Sequence, residues 1–352
     1  MTKDGKLAWG IVGSGGISGA HCNAVRECER AELVAFCDIK LDRAERRASE
    51  NGGGDVYEDF NELLARDDID AISICAPSGL HATIGVAAAK AGKHILSEKP
   101  LDITVEACDR FVAASEENQV VLSCVFQNRY AQASREVKKS LEDGLLGDLY
   151  MADLSMKWWR GQDYYDDEWH GTWALDGGGA IINQCCHFVD LLQWFVGPFD
   201  NVRGRFATMA HKMEADDVTY AWLDRKAGGW ASVIATTCAY PGYYSKIELH
   251  GSEGSLIWQD GRIISWELKS EREGSGAKGR AKLDEVEVGS GADDPMAISF
   301  QGHRAHVENL CDCILEGAEP TVSGREARKA VEVINAILAS GRNDSAPVKL
   351  PL

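Results

Sequence analysis

The segment ALDGGGAIINQCCHFVDLLQWF, residues 174–195, places polar side chains that could do chemistry inside a strongly apolar stretch. Three consecutive glycines lead into it, and an amide, an imidazole and a carboxylate follow at Asn183, His187 and Asp190. In a helix these positions share one face, because residues three and four apart lie one turn above another. An imidazole can exchange a proton near neutral pH, so His187 is a candidate acid–base catalyst. The alternative is a hydrogen-bonded core histidine, and Asp190 could hold its ring or serve the structure alone.

A glycine-rich loop follows the first apolar run of the chain. The sequence GSGGIS, residues 13–18, fits the GxGxxG/A fingerprint, with Ser18 at the third small position. Such a loop between a strand and a helix lets backbone approach a pyrophosphate at the helix N-terminus. Asp38 ends the next strand pattern, where it can accept hydrogen bonds from a ribose diol. The pattern therefore predicts a dinucleotide site that favours NAD. Lys40 keeps NADP as the less favoured alternative, because a cation there could accept a 2′-phosphate.

A lysine stands at the end of another apolar run, in AGKHILSEKP, residues 91–100. The carboxyl ends of parallel strands face the ligand crevice of an open sheet. Lys99 lies there between Glu98, which would hold its ammonium charged, and Pro100, which ends the strand. A charged lysine at this position could stabilise a developing alkoxide, whereas the alternative is an ordinary solvated surface charge.

The elements that must position these residues follow from the apolar patterning. Continuous apolar runs suit strands buried on both faces of a parallel sheet. They lie at 7–13, 32–38, 71–76, 94–97 and 120–125. Helical patterns separate them, which predicts a doubly wound α/β domain.

The rhythm changes after about residue 126, where we expect a second domain of α+β class. A helix is predicted near 131–143, and alternating runs between 201 and 267 indicate a largely antiparallel sheet. Residues 269–294 are polar and glycine-rich, and we expect a long surface excursion of low order there. Helices near 300–316 and 324–340 close the chain.

Composition excludes several classes of function. Of 352 residues, 45% are hydrophobic and 26% charged, and the formal net charge is −18. An acidic surface repels nucleic acid and anionic membranes, so neither is an expected partner. No apolar run reaches the length of a membrane span, and we expect neither a membrane span nor a secretory leader. The 11 cysteines lack paired CxxC spacing, which favours reduced thiols in a cytoplasmic protein. No metal site is predicted, because His303 and His306 lack an evident third ligand.

Several motifs together resemble the Gfo/Idh/MocA family of sugar and cyclitol oxidoreductases. They are GIVGSGGIS, AGKHILSEKP and GGGAIINQCCHFVDLLQWFVG, and the resemblance covers almost the whole chain. It implies a Rossmann domain with a doubly wound parallel sheet, residues 1–126. A substrate-binding and oligomerisation domain on an open, mostly antiparallel sheet, residues 127–352, would follow. Sheets of this second kind commonly pair face to face, so a homodimer or homotetramer is implied.

The activity implied by the resemblance is hydride transfer between a nicotinamide and a secondary hydroxyl or ketone of a sugar or sugar acid. Lys99 and His187 match the catalytic lysine and histidine of the family. Many members carry Asp where this chain has Asn183, and the Asn183-Gln184 pair resembles the subgroup of UDP-N-acetylglucosaminuronate 3-dehydrogenases. Asn183 cannot take a proton, so His187 would be the acid–base group and Asn183 would orient substrate or lysine. Lys99 as the base is the competing assignment.

The residues predicted to bind the cofactor or the substrate form two sets, which share Lys99. The cofactor set is Gly13, Ser14, Gly15, Gly16, Ile17, Asp38, Ala76, Pro77, Ser78, Glu98, Lys99 and Asn128. The substrate set is Lys99, Arg129, Arg160, Tyr164, Tyr165, Asn183, His187 and His303. Aromatic rings stack on sugar faces, and an arginine can bind a carboxylate or phosphate.

Three other functions stay open. One is an inositol-type cyclitol dehydrogenase, and a second is an enzyme that uses tightly bound NAD catalytically, without net reduction of the cofactor. The third is a non-catalytic NAD(H) sensor. Retention of both Lys99 and His187 argues against the sensor, because sensing needs neither.

Overall fold

The computed structural model describes residues 5–272 and 300–352, and these residues form two compact units. The first unit combines the described residues up to Gln127 with Phe300–Arg328. The second runs from Asn128 to the end of the first described range and resumes with Lys329–Leu352. The chain therefore returns to the first unit after passing through most of the second. The functional division of the chain at residue 126 stays a prediction.

The first unit is a six-stranded parallel sheet in the order β3-β2-β1-β4-β5-β6. Its strands are β1 (Leu7–Val12), β2 (Ala31–Cys37), β3 (Asp55–Tyr57), β4 (Ala71–Ile74), β5 (His94–Ser97) and β6 (Leu122–Cys124). Its helices are α1 (Ser18–Glu27), α2 (Leu41–Glu50), α3 (Phe60–Leu64), α4 (His81–Lys90), α5 (Val105–Glu117) and α9 (Gln301–Glu316). Every position of β1 and β4 is buried, as continuous apolar runs predict. The strand order reverses between β1 and β4, and ligands bind at such a point, beyond the carboxyl ends of the strands.

The second unit is an eight-stranded sheet in the order β13-β12-β11-β7-β10-β9-β8-β14. Its strands are β7 (Leu149–Lys157), β8 (Phe199–Ala207), β9 (Val218–Arg225), β10 (Trp230–Thr236), β11 (Lys246–Gly251), β12 (Gly254–Gln259), β13 (Arg262–Leu268) and β14 (Val348–Lys349). Its helices are α6 (Gln132–Glu142), α7 (Cys186–Val196), α8 (Lys269–Arg272) and α10 (Gly324–Arg342), whose first residues belong to the first unit. β7 and β10 pair in parallel and the other neighbours are antiparallel. The two sheets confirm the predicted fold class.

Alternating burial explains how the second sheet is covered. Ala152, Leu154 and Met156 of β7 are buried on the face where α7 packs, whereas residues on the other face are more exposed. This is the pattern of a sheet with one apolar face on a core. The helices on that face carry the polar side chains of the opening segment.

The glycine-led segment differs locally from the sequence-based expectation. The glycine-led segment begins as a π-helical turn, Ala180–Gln184, before α7 starts at Cys186. The excursion predicted at 269–294 lies outside the described residues, apart from the short helix α8 at its start.

Two further findings concern the whole set of described residues. Every cysteine is a free thiol, and all of them except Cys238 are buried. Among the helices of residues 5–272 and 300–352, none has both the length and the apolar character that crossing a lipid bilayer requires.

Candidate active site

The glycine loop joins β1 to α1, at the carboxyl end of the central strand. Gly13 has a φ of +91°, and a Cβ there would lie 2.6 Å from the backbone carbonyl of Cys75 and 2.7 Å from the amide nitrogen of Ala76. Only glycine fits this left-handed, crowded position. A Cβ at Gly15 would meet no atom within 4 Å, so that side of the loop is open. Uncovered backbone at the N-terminus of α1 is suited to binding the pyrophosphate of a dinucleotide.

Asp38 follows β2 and is buried at the same end of the sheet, beyond the carboxyl ends of the strands. Its carboxylate accepts hydrogen bonds from the backbone N–H groups of Ser14 and Lys40, both at 2.8 Å. The carboxylate is therefore tied to the glycine loop and held at the end of the second strand. That is where a ribose diol is bound in this fold.

Ser18 contributes more than small size. Its hydroxyl donates to the carbonyl oxygen of Gly15 at 2.6 Å and accepts from Nε of Arg47 at 3.0 Å. Arg47, on α2, also donates to the Gly15 carbonyl at 2.9 Å. This cation beside the loop adds to the positive end of the α1 dipole. Arg47 is outside the predicted cofactor residues, because an arginine in a charged helix is usually solvated.

Glu98 lies directly after β5 and is buried between two histidines. Its Oε1 is 2.9 Å from Nε2 of His21 and 3.0 Å from Nε2 of His303, and its Oε2 accepts from the backbone N–H of Lys99 at 3.2 Å. Burial alone would raise the pKa of Glu98, but the hydrogen bonds from His21 and His303 hold it well below its ordinary range. Burial lowers the pKa of His21. An ionised carboxylate therefore anchors the backbone at Lys99.

The three side chains of this cluster are of the types that hold transition metals. Their nitrogen–oxygen distances are those of direct hydrogen bonds. His303 comes from α9, in the segment with which the chain returns to the first unit. Its predicted contact with substrate stays a prediction.

The loop after β4 carries the predicted cofactor residues Ala76, Pro77 and Ser78. His81, at the start of α4, has one ring nitrogen 2.9 Å from the carbonyl oxygen of Ala76 and the other 2.7 Å from that of Pro100. It links this loop to the segment that carries Lys99. Asn128, the last of the cofactor set, is buried in a short turn after β6 and belongs to the second unit.

In the second unit, Asp216 anchors the π-helical turn. Its carboxylate accepts from the N–H groups of Gly179 at 2.9 Å and Ile181 at 3.0 Å, and its backbone oxygen accepts from Ala180 at 2.8 Å. A Cβ at Gly179 would overlap that backbone oxygen, so the third glycine of the run is required. Burial raises the pKa of Asp216 to about 6, although these hydrogen bonds oppose the rise. π-Helical turns are frequent at functional sites.

The amides of the π-turn join a buried polar network. Nδ2 of Asn183 donates to Asp176 at 2.6 Å, and Gln184 donates through Nε2 to the hydroxyl of Tyr164 at 2.7 Å. Nη2 of Arg160 donates to Oε1 of Gln184 at 3.2 Å. Three residues of the predicted site, Arg160, Tyr164 and Asn183, therefore belong to one network in this unit. Asp176, which directly precedes the glycine run, is outside the predicted site residues.

Aromatic rings surround the Arg160 guanidinium. It lies 5.1 Å from the ring centre of Trp158 and 5.6 Å from that of Tyr164, and the residue is only 3% exposed. Nε2 of His211 is 2.9 Å from the Arg160 carbonyl oxygen, which fixes the backbone. Tyr165, also predicted to touch substrate, is buried with its hydroxyl 2.8 Å from Oγ1 of Thr237.

His187 and Asp190 have different surroundings on α7. From Ala180 to Leu192 every side chain is buried except that of His187, which is partly exposed. Asp190 receives two hydrogen bonds from Arg129, at 2.6 and 2.8 Å, and both side chains are buried. The ion pair gives Asp190 a structural role, and its predicted hold on the His187 ring stays a prediction. Contact of Arg129 with substrate stays a prediction.

Comparison with known families decides the class of protein. A family model described as an oxidoreductase family with an NAD-binding Rossmann fold matches residues 7–126, and a model of the GFO/IDH/MocA C-terminal domain matches residues 134–257. The chain belongs to the GFO/IDH/MocA oxidoreductase family. The resemblance predicted from the motifs is confirmed, and the enzyme is an oxidoreductase with NAD as its cofactor.

Solved and curated members of the GFO/IDH/MocA family are similar over most of the chain. The WlbA dehydrogenase from Bordetella pertussis, solved in complex with NADH and UDP-GlcNAcA, is 32% identical, with a TM-score of 0.87 and coverage of 100% of both chains. Inositol 2-dehydrogenase of Rhizobium meliloti is 25% identical, covering 95% of this chain and 96% of its own. Myo-inositol 2-dehydrogenase of Thermotoga maritima is 24% identical, with 76% and 80% covered.

Proposed function

We propose that this GFO/IDH/MocA enzyme transfers a hydride between NAD and a secondary hydroxyl or ketone of a sugar acid, with a nucleotide-linked sugar acid as the favoured class. The observation that carries the proposal is the buried Arg160, set among aromatic rings and hydrogen-bonded to Gln184. An arginine suits a carboxylate and aromatic rings suit a sugar face. Similarity over the full chain to a dehydrogenase solved with UDP-GlcNAcA supports the same class.

In the proposed reaction NAD, when bound, supplies the hydride acceptor. His187 takes the hydroxyl proton, which is consistent with its being the one partly exposed side chain in a buried stretch. Lys99 donates a hydrogen bond to the reacting oxygen and stabilises its developing negative charge. Asn183 orients the substrate. Lys99 as the base remains the competing assignment, and the pH dependence of kcat/KM for His187→Gln and Lys99→Arg separates the two.

Cofactor choice is proposed from the second strand. Asp38, buried and held by two backbone N–H groups, would accept hydrogen bonds from the adenosine ribose and repel a 2′-phosphate. Ser14, Gly15, Gly16 and Ile17 would hold the pyrophosphate. NADP is therefore the less favoured cofactor.

We further propose a homodimer or homotetramer that associates through the exposed face of the eight-stranded sheet. Free thiols throughout the chain are consistent with the proposed cytoplasmic location, since reducing compartments keep thiols reduced.

Nicotinamide absorbance tests the proposal directly. Purified enzyme is mixed with NAD or NADP and a panel of aldoses, uronic acids, inositols and UDP-sugars. We expect reduction of NAD with a sugar acid, and a loss of about a hundredfold to a thousandfold in kcat for Lys99→Ala with NAD binding retained. Lys90→Ala, at an exposed lysine, is the matched control. Unchanged turnover in Lys99→Ala would remove this lysine from the mechanism.

Three alternatives are distinguished by the same panel. Activity with inositols alone would favour an inositol-type cyclitol dehydrogenase, a function that the names of two relatives support. No absorbance change, with an altered sugar product and NAD still bound, would indicate recycled NAD. Binding of NAD without any product would indicate a sensor.

A further inference from the structure

We propose that Asp176 is a positioning residue of the substrate site, which turns the amide of Asn183 so that its oxygen serves as the acceptor for substrate. The inference rests on the proposed function, in which Asn183 contacts the substrate. It adds a residue that lies outside the predicted set of site residues.

The Asp176 carboxylate is built into the fold. It is 1% exposed, and Oδ2 accepts from the N–H of Gly171 at 2.8 Å. Its backbone N–H bonds the carbonyl oxygen of Thr172 at 3.2 Å, and that of Gly177 bonds the same oxygen at 3.0 Å. The carboxylate therefore sits in a closed turn between the aromatic segment and the glycine run. Oδ1 is directed at Asn183, at 2.6 Å.

A carboxylate beside an amide selects one of its two orientations. A carboxylate oxygen accepts hydrogen bonds, and only Nδ2 of an asparagine donates. If the amide of Asn183 were turned over, two oxygen atoms would face each other at 2.6 Å. Asp176 therefore fixes Nδ2 on its own side and Oδ1 on the other.

The neighbouring amide agrees with this orientation. Nε2 of Gln184 is 3.4 Å from Oδ1 of Asn183. Gln184 is itself oriented, because Arg160 donates to its oxygen and its nitrogen donates to Tyr164. Each amide in the row from Arg160 to Asp176 has a single allowed orientation. A substrate group that meets the amide oxygen of Asn183 must therefore be a donor, which fits a sugar hydroxyl.

An exchange of the two side chains tests the proposal. In Asn183→Asp, two carboxylates face each other, so kcat/KM falls at neutral pH and partly recovers at lower pH, where one proton is shared. In Asp176→Asn, the amide loses its fixed orientation, and we expect kcat/KM about tenfold to a hundredfold lower. The double variant Asp176→Asn/Asn183→Asp restores a donor–acceptor pair with an oxygen toward substrate. Its kcat/KM should exceed that of both single variants and its pH profile should return toward that of the wild type.

Controls separate positioning from folding and from the proposed function. Asp163→Asn, at an exposed aspartate of the same segment, should behave as wild type. The thermal midpoint of Asn183→Asp should fall as pH rises from about 5 to about 8, because a raised native pKa contributes stability only below it, and the double variant should not show this fall. Unchanged kcat/KM in Asp176→Asn, or a double variant no better than its worse parent, would overturn the positioning role alone. An inactive wild type would overturn the proposed function and this role with it.

Discussion

At the scale of single residues, buried histidines make the stability of the first unit depend on pH. His306 accepts a hydrogen bond at Nε2 from the backbone N–H of Phe126 at 3.0 Å and is fully buried. Burial lowers its pKa to about 3 from the ordinary 6.5. Below about pH 6.5 this histidine is protonated in the unfolded chain but stays neutral in the native state. The free energy of unfolding therefore falls as the pH falls toward the native pKa.

We expect His306→Gln to weaken this dependence. The variant should be less stable at pH 7, because the glutamine packs less well. Between about pH 6.5 and about pH 4 the slope of its unfolding free energy against pH should be shallower by about 1.4 kcal/mol per pH unit. That is the contribution of one proton bound by the unfolded state and not by the native state. Urea unfolding at several pH values measures the slope. His250→Gln, at a partly exposed histidine, is the control, and an equal slope in His306→Gln and wild type would contradict the assignment.

The residue scale also shows which site residues a sequence can reveal. The glycine loop, Lys99 and His187 belong to motifs, and the type and order of the residues in each motif indicate a function. Asp176 and Arg47 do not, because both residue types are common on surfaces and only folding shows what they contact. The one local signal for Asp176 is its position directly before three glycines.

At the scale of elements, the glycine run and the π-turn act together. The glycine run lets the backbone lie against Asp216, and the turn that Asp216 anchors carries Asn183 and Gln184.

Five of the predicted strands correspond to strands of the parallel sheet, because a short continuous apolar run is typical of a strand that is buried on both faces. The π-turn escaped prediction because its bond from the N–H of Cys185 to the oxygen of Ala180 depends on a distant aspartate. β7 also escaped prediction, because its parallel pairing with β10 joins segments about 80 residues apart.

Two neighbouring glycines give a matched test of this element. In Gly179→Ala the new Cβ would overlap the backbone oxygen of Asp216, which cannot move without releasing the turn. We expect a loss of about 1–3 kcal/mol in unfolding free energy and a fall in kcat/KM. In Gly178→Ala the nearest atom is a side-chain methyl of Ile182 at 2.7 Å, which can shift, so both effects should be smaller. Denaturant unfolding and steady-state kinetics measure the two variants side by side, and equal losses would show that crowding at Asp216 is not the cause.

At the scale of the whole molecule, the second sheet leaves an aromatic surface open to solvent. Tyr220 is 55% exposed, Trp222 46% and Trp230 54%, and the rings of Trp222 and Trp230 are 5.4 Å apart. A net charge of −18 disfavours non-specific association of copies. A contiguous aromatic patch on such an acidic chain is therefore the natural place for a specific contact.

If that surface is where copies meet, one charge at its centre should separate them. Sedimentation velocity of the wild type should show a dimer or tetramer, and Trp222→Glu should raise the dissociation constant by at least about thirtyfold, since buried tryptophans contribute about 2 kcal/mol or more to an interface. Met209→Glu changes a residue that is 72% exposed outside the strands, and it should leave the assembly intact. A wild-type monomer would assign the patch to another partner. An unchanged assembly in Trp222→Glu would move the interface to a different surface of the chain.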